Sequence, residues 1–157
     1  SILGKEYNQK EEQLLGESFS RLVFDAVIAA PWIPGAYNLL VDYHKTIPMF
    51  VASGTPNEEI QRIVKHRKMD HFFVAVKGSP ATKAQIIDEI CINHGFHRDR
   101  VLMIGDSITD YEGAMKAGVM FVGYNTSEQN PFPPRIAIVT DLKSIATLFR
   151  LNNKQQL

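Results

Sequence analysis

Cysteine is nearly absent from this chain. Cys91 is the only one among 157 residues, so no disulfide can close within one copy, and a reducing compartment, the cytoplasm, is the expected location. Net charge is absent too, since 17 basic side chains balance 17 acidic ones. No electrostatic argument then favours nucleic acid or an anionic membrane as a partner. No apolar run approaches the roughly 20 residues of a membrane-spanning helix. The first residues, SILGKEYNQKEEQ, lack the basic-then-apolar order of a secretion signal. Internal repeats and low-complexity tracts are missing as well. What is present is an ordinary globular composition, 45% hydrophobic and 22% charged, at a length that supports one domain with a real core.

Leu14, Leu15, Phe19, Leu22, Val23, Ala26 and Val27 recur at three- and four-residue steps. That period predicts amphipathic helix within residues 1–30, divided in two near Gly16 and Ser18. Two prolines and a glycine in the stretch PWIPG, residues 31–35, then break the chain and mark a domain boundary. Segment 1–30 is thereby separated from a second domain, 31–157. Beyond the break, helices and short apolar runs alternate. A helix is expected over 34–44, a strand over 47–52 and a helix capped by Thr55. A strand over 72–76 and a helix from Ser79-Pro80 to about His94 follow. Then come a strand over 101–104, a helix ending at Gly118, a strand over 119–123, a proline-rich loop, a short strand over 136–139 and a last helix from Asp141. Such alternation predicts the α/β class, a parallel sheet with flanking helices.

Three of the expected strand ends carry polar groups. Val101 to Ile104 run into Gly105, where the backbone can turn sharply. Asp106 therefore stands at the carboxyl edge of the sheet, where open α/β folds bind ligands. Thr109 reads as a helix cap, with Glu112 three residues on completing a capping box. Asp110 then lies in the first helical turn near Asp106. Two carboxylates at one strand–helix junction suit a hard cation such as Mg²⁺. At an earlier strand end, Ser53-Gly54-Thr55 offers a hydroxyl and backbone amides at a helix N-terminus, an arrangement suited to an anion. Lys83 falls in the first turn of the helix after the 72–76 strand, where the helix dipole disfavours a cation. That placement hints at an anion or carboxylate beside it, and Lys77 competes for the same role. Each feature alone also has a bland reading, because Asp, Ser and Thr are ordinary turn and cap residues. Together they describe a site for a phosphoryl group and a divalent cation. The five histidines fall at helix ends or loops, form no ligand spacing with Cys91 and read as surface groups.

VASGT, GSPATK and VLMIGDSITD, in this order and at this spacing, resemble the second, third and fourth motifs of the haloacid dehalogenase superfamily, in its phosphatase branch near phosphoglycolate phosphatases. PGAYNLL and AMKAGVMFVGY resemble the same family, and the likeness extends over about residues 31–149. It implies a Rossmann-like core beneath a helical cap, with 1–30 as the C-terminal part of that cap. By this resemblance Ser53, with Gly54, would hydrogen-bond the phosphoryl group of a small phosphorylated metabolite. Lys83 would neutralise charge, Asp106 would hold Mg²⁺, and Asp110 would support the metal or its waters. The family's first motif is an apolar strand ending in Asp-x-Asp, whose first carboxylate becomes an aspartyl-phosphate. No two aspartates here are separated by one residue, and LVFDAV contains Asp25 alone.

The expected consequences are a chain that begins inside the cap, lacks its nucleophile and is inactive as it stands. Its core would also lack the strand between those ending at Ala52 and Ile104. A separate segment, a second copy of the chain, or direct pairing of those two strands would fill the gap. The competing reading is a non-catalytic phosphate-binding or regulatory module that has lost the nucleophile. Among enzymes, a phosphomutase stays open, while a dehalogenase has no need of the paired metal carboxylates. A receiver-like domain fits poorly, because it places its paired acids ahead of the Ser/Thr strand.

Overall fold

The computed structural model describes residues 9–147. Its first element is one uninterrupted helix, α1 (Gln9–Ala29). The division expected at Gly16 and Ser18 does not occur. A Cβ at Gly16 would meet nothing within 4 Å, so no packing forces a break there, and the helix tolerates the glycine. The apolar stripe is exposed, Leu15 at 74% and Phe19 at 67%. The chain divides into two compact units after Pro31, and α1 makes up the described part of the first.

The second unit contains α2 (Ala36–Tyr43), β1 (Phe50–Pro56), α3 (Asn57–His66), β2 (Ala75–Ser79), α4 (Lys83–His94), β3 (Leu102–Gly105), α5 (Ile108–Ala117), β4 (Met120–Tyr124) and β5 (Ile138–Val139). This is the alternating α/β order read from the sequence, with parallel sheets and flanking helices. Several boundaries move for identifiable reasons. Thr55 does not cap α3, because β1 continues through Pro56, which pairs with Ser79 after an irregularity in the ladder. The α4 helix starts later than Ser79-Pro80, because Thr82 caps it in a reciprocal box with Gln85. Phe72 is buried in a short 3-10 turn ahead of β2 rather than in the strand. Asp141 caps a 3-10 turn, Leu142–Ile145, helical conformation continues at Ala146 and Thr147, and residues from 148 onward lie outside the described residues.

The strands form two parallel half-sheets. β1 pairs with β2, from Phe50 opposite Ala75 to Ala52 opposite Lys77. β3 pairs with β4, from Leu102 opposite Met120 to Gly105 opposite Gly123, and β4 pairs with β5. Among the described residues no ladder joins β1 to β3, so direct pairing, one of the three expected ways of filling the gap, does not occur. Helices cover both faces. On one, Ala84, Ile87 and Cys91 of α4 pack with Ala114 and Ala117 of α5, against Met103 and Phe121. On the other, Ala36 and Leu39 of α2 pack with Leu142 and Ile145, against Leu102, Ile104 and Tyr124. Arg98 ties the two outer helices together. Its guanidinium donates both to Asp88 on α4 and to the carbonyl of Ala117 at the C-terminus of α5.

Gly118 ends α5 in the left-handed conformation, φ 69°. A Cβ there would touch only the Arg98 side chain, at 3.8 Å, so the cost of a side chain is backbone strain. Gly118→Ala is expected to destabilise the second unit by about 1 kcal/mol. Gly16→Ala, in an open helical position, is expected to stabilise α1 by about 0.5–1 kcal/mol. Urea denaturation followed by circular dichroism reads both. Equal and opposite shifts confined to the two sites are not required, but a stable Gly118→Ala would contradict the strain.

Candidate active site

The site is built at the ends of β2 and β3, where each strand turns into a capped helix. After β3, Ser107 is the N-cap of α5, and its hydroxyl accepts from the Asp110 amide at 3.3 Å. This replaces the cap expected at Thr109. Both Ser107-x-x-Asp110 and Thr109-x-x-Glu112 satisfy the capping-box spacing, and the earlier one is used. Asp110 completes it from the third helical position. Its Oδ2 accepts from the amides of Asp106 (3.1 Å) and Ser107 (3.0 Å) and from the Ser107 hydroxyl (2.7 Å). Its Oδ1 accepts from the Lys83 ammonium. Lys83 also donates to the Thr109 hydroxyl at 3.3 Å.

The close approach depends on two glycines. A Cβ on Gly105 would stand 2.3 Å from the Asp110 Cβ, and one on Gly113 would stand 2.8 Å from the Lys83 Cβ. The first lets the strand end pass over the carboxylate. The second lets α5 approach the start of α4, which brings lysine to acid. The Asp110 side chain is 7% exposed and the Lys83 side chain 17%. Burial pushes the Asp110 carboxyl up, but hydrogen bonds from Lys83 and Ser107, with the lysine's charge, outweigh it and hold the group below its ordinary range.

Lys77 does not share this environment. It pairs with Glu89 at 2.8 Å on an exposed surface, so Lys83 is the lysine that meets the aspartate loop. Asp106 is exposed, and its carboxylate takes no hydrogen bond or ion pair among the described residues. Asp110 has no such freedom, since both its oxygens are occupied. Ser53 lies within β1, where the pairing with β2 turns irregular after Ala52, in the other half-sheet, and its hydroxyl accepts from the Thr55 amide at 3.1 Å. Gly54 beside it is exposed, with open space where a Cβ would stand. The geometry thus joins Lys83, Asp106 and Asp110 through shared hydrogen bonds, whereas Ser53 and Gly54 share no hydrogen bond with them among the described residues. Ser107 and Gly113 were not anticipated. The Ser-x-x-Asp spacing was the available signal for Ser107, and the glycine had none.

The oxygen chemistry fits Mg²⁺. A free carboxylate on a rigid turn, with a second acid fixed behind it, matches a cation that takes one or two carboxylates and keeps several waters. No cluster of three or more histidine, cysteine or acidic side chains capable of enclosing a metal occurs among the described residues.

The sequence pattern of the family described as "Haloacid dehalogenase-like hydrolase" matches residues 7–124. No curated protein matches. Solved structures do, at low identity. A haloacid dehalogenase-like family hydrolase from Streptococcus pneumoniae matches with a TM-score of 0.69 and 19% identity, over 89% of this chain and 71% of its own. A predicted phosphatase from Clostridium acetobutylicum gives 0.62 and 22%, over 73% of this chain and 57% of its own. The hydrolase YfnB from Bacillus subtilis, bound to magnesium, gives 0.62 and 19%, over 73% and 54%. At these identities the likeness concerns the fold. The chain spans little more than half the length of the last two.

Lys83→Met is expected to strand a buried carboxylate and to cost about 3 kcal/mol at neutral pH. Because the folded-state pKa of Asp110 is depressed, its contribution is complete above the ordinary carboxylate value of about 4. It is lost as pH falls through the lower folded value. In Lys83→Met that acid-side loss is expected to shrink, since burial then acts with one opposing donor fewer. Urea denaturation between pH 2 and pH 7 tests this, and an unchanged midpoint with an unchanged acid slope would refute it.

Proposed function

This chain belongs to the haloacid dehalogenase-like hydrolase family, and from that premise we propose that its strand-end site binds a phosphoryl group together with Mg²⁺. It would then be the phosphate- and cation-holding part of a phosphomonoester hydrolase acting on a small phosphorylated metabolite. The observation that carries this reading is the Lys83–Asp110–Asp106 junction. It fixes a lysine ammonium at the start of one helix and leaves one carboxylate open at the start of the next.

Each residue has a distinct task in this reading. Asp106 offers its exposed carboxylate to the cation. Asp110 does not reach the cation directly; it holds the Asp106 and Ser107 amides and keeps Lys83 in place. Lys83 presents positive charge to the phosphoryl oxygens. The Ser53 hydroxyl and the open backbone at Gly54 supply hydrogen bonds from the other half-sheet. When bound, Mg²⁺ would neutralise phosphoryl charge and polarise its oxygens. Cleavage through an aspartyl-phosphate requires an Asp-x-Asp pair, and residues 1–157 contain none. In this reading these residues bind and orient.

Calorimetric titration of the 157-residue chain is expected to give phosphate binding that strengthens about tenfold, about 1.4 kcal/mol, when Mg²⁺ is added. Asp106→Asn should abolish the strengthening yet change stability by less than about 0.5 kcal/mol, as suits an exposed side chain without partners. Phosphate affinity indifferent to both Mg²⁺ and Asp106→Asn would overturn the reading. With p-nitrophenyl phosphate the chain alone should give no turnover; turnover would place a nucleophile among its own residues.

A further inference from the structure

The turn after β3 holds more hydroxyl chemistry than a helix cap needs. The Ser107 and Thr109 hydroxyls lie 2.9 Å apart, and the Lys83 ammonium donates to Thr109 at 3.3 Å. Ser107 donates to one oxygen of the Asp110 carboxylate at 2.7 Å, and Lys83 donates to the other. Four side chains thus close a ring that runs from Lys83 through Thr109, Ser107 and Asp110 back to Lys83. Ser107 has a cap to form. Thr109, the second residue of α5, is exposed and is not the cap, so the helix does not need its hydroxyl.

The direction of every bond in the ring follows from its two ends. An ammonium only donates, and an ionised carboxylate, the form in which Asp110 is held, only accepts. The Ser107 hydroxyl has one proton and two lone pairs. Its proton goes to Asp110, and one lone pair takes the Asp110 amide at 3.3 Å. The second lone pair then receives the Thr109 proton, and Thr109 in turn accepts from Lys83. Two arms therefore leave the ammonium, one direct and one through both hydroxyls, and each ends on Asp110. Thr109 keeps no proton for a ligand, and Lys83 keeps one N–H of its three. The base of the lysine stem is confined as well, since a Cβ on Gly113 of α5 would stand 2.8 Å from the Lys83 Cβ.

We infer that Thr109 is the positioning residue for Lys83, closing a hydrogen-bonded ring that fixes the direction of the one remaining N–H of the ammonium. A lysine head is otherwise a compact charge with three rotatable donors on a flexible stem. Held by Asp110 alone, it could still swivel about that one bond. A second acceptor removes the rotation, and a polar network paired in this way becomes rigid. The inference deepens the proposed function, on which its phosphate-binding consequence rests; the ring itself rests on the hydrogen bonds alone. In that reading Thr109 touches neither phosphoryl group nor cation and acts through the lysine.

The test uses the full 157-residue chain with Thr109→Val, which keeps the side chain's shape and removes its hydroxyl, and Thr109→Ser, which restores the hydroxyl. Position 109 is exposed, so both variants are expected to fold. In ligand-free protein, NMR of isotope-labelled lysine reads proton exchange between the Lys83 ammonium and water, its signal assigned by loss in Lys83→Arg. Exchange is expected to quicken about tenfold in Thr109→Val, as loss of a hydrogen bond to a charged group implies, and to match wild type in Thr109→Ser. Calorimetry with inorganic phosphate and Mg²⁺ is expected to show binding about tenfold weaker in Thr109→Val, again restored by serine. Unchanged Lys83 exchange in Thr109→Val, or failure of serine to restore it, overturns the inference. Weaker phosphate binding with unchanged Lys83 exchange overturns it too, by making Thr109 a direct ligand. So does quickened exchange with unaltered phosphate affinity. If Lys83 exchange follows the hydroxyl but the wild-type chain binds no phosphate, the proposed function fails and the positioning of Lys83 by Thr109 stands.

Discussion

The carboxylate of Asp110 is the point on which the second unit turns. A carboxylate this buried is costly unless its oxygens are fully engaged, and here both are. One oxygen gathers two backbone amides and a hydroxyl from its own loop; the other takes the Lys83 ammonium from a different helix. The first set fixes the shape of the turn after β3 and therefore the position of Asp106. The second fixes the start of α4 against the start of α5. No strand ladder joins the half-sheets, so this ion pair and the helix packing beneath it do the work that backbone pairing performs elsewhere in the fold. The two glycines follow from the same requirement, since a side chain on either would occupy the space of the acid or of the lysine.

Much of this was legible in the chain because it is local. The apolar run ending at Gly105, the left-handed stop at Gly118 and the alternation of runs with helical spacing depend on neighbours only a few residues apart. The class, the order of elements and the strand-end location of Asp106 came from such signals. The misread details are also local, but degenerate. Ser107-x-x-Asp110 and Thr109-x-x-Glu112 offer the same box two residues apart. What separates them is that Asp110 also receives Lys83, from 27 residues earlier, and no local pattern carries that. Gly16 and Ser18 look like a helix boundary, but nothing packs there to end the helix.

The illegible parts are the long-range ones. Lys77 and Lys83 both stand near the end of β2, and only the position of Glu89, one helical face away, diverts the first. Whether β1 lies beside β3 was equally beyond reach, because an apolar run announces burial without naming its neighbour. The half-exposed side chains of β1 and β3 are the structural trace of that ambiguity: sequences suited to a sheet's interior, placed at edges.

Binding and chemistry separate at this site for a physical reason. In the proposed reading a lysine charge, a hydroxyl and a carboxylate-held cation would stabilise a phosphorylated ligand whether or not it reacts, and uniform stabilisation of ground and transition states leaves the chemical step no faster. Acceleration needs a group that improves its interaction as phosphorus is attacked, such as a nucleophile held in line with the leaving oxygen. Asp106 and Asp110 are poor substitutes. In the proposed reading the first would be the open ligand for a cation, and the second has both oxygens bound and its charge compensated by Lys83, which suppresses its nucleophilicity.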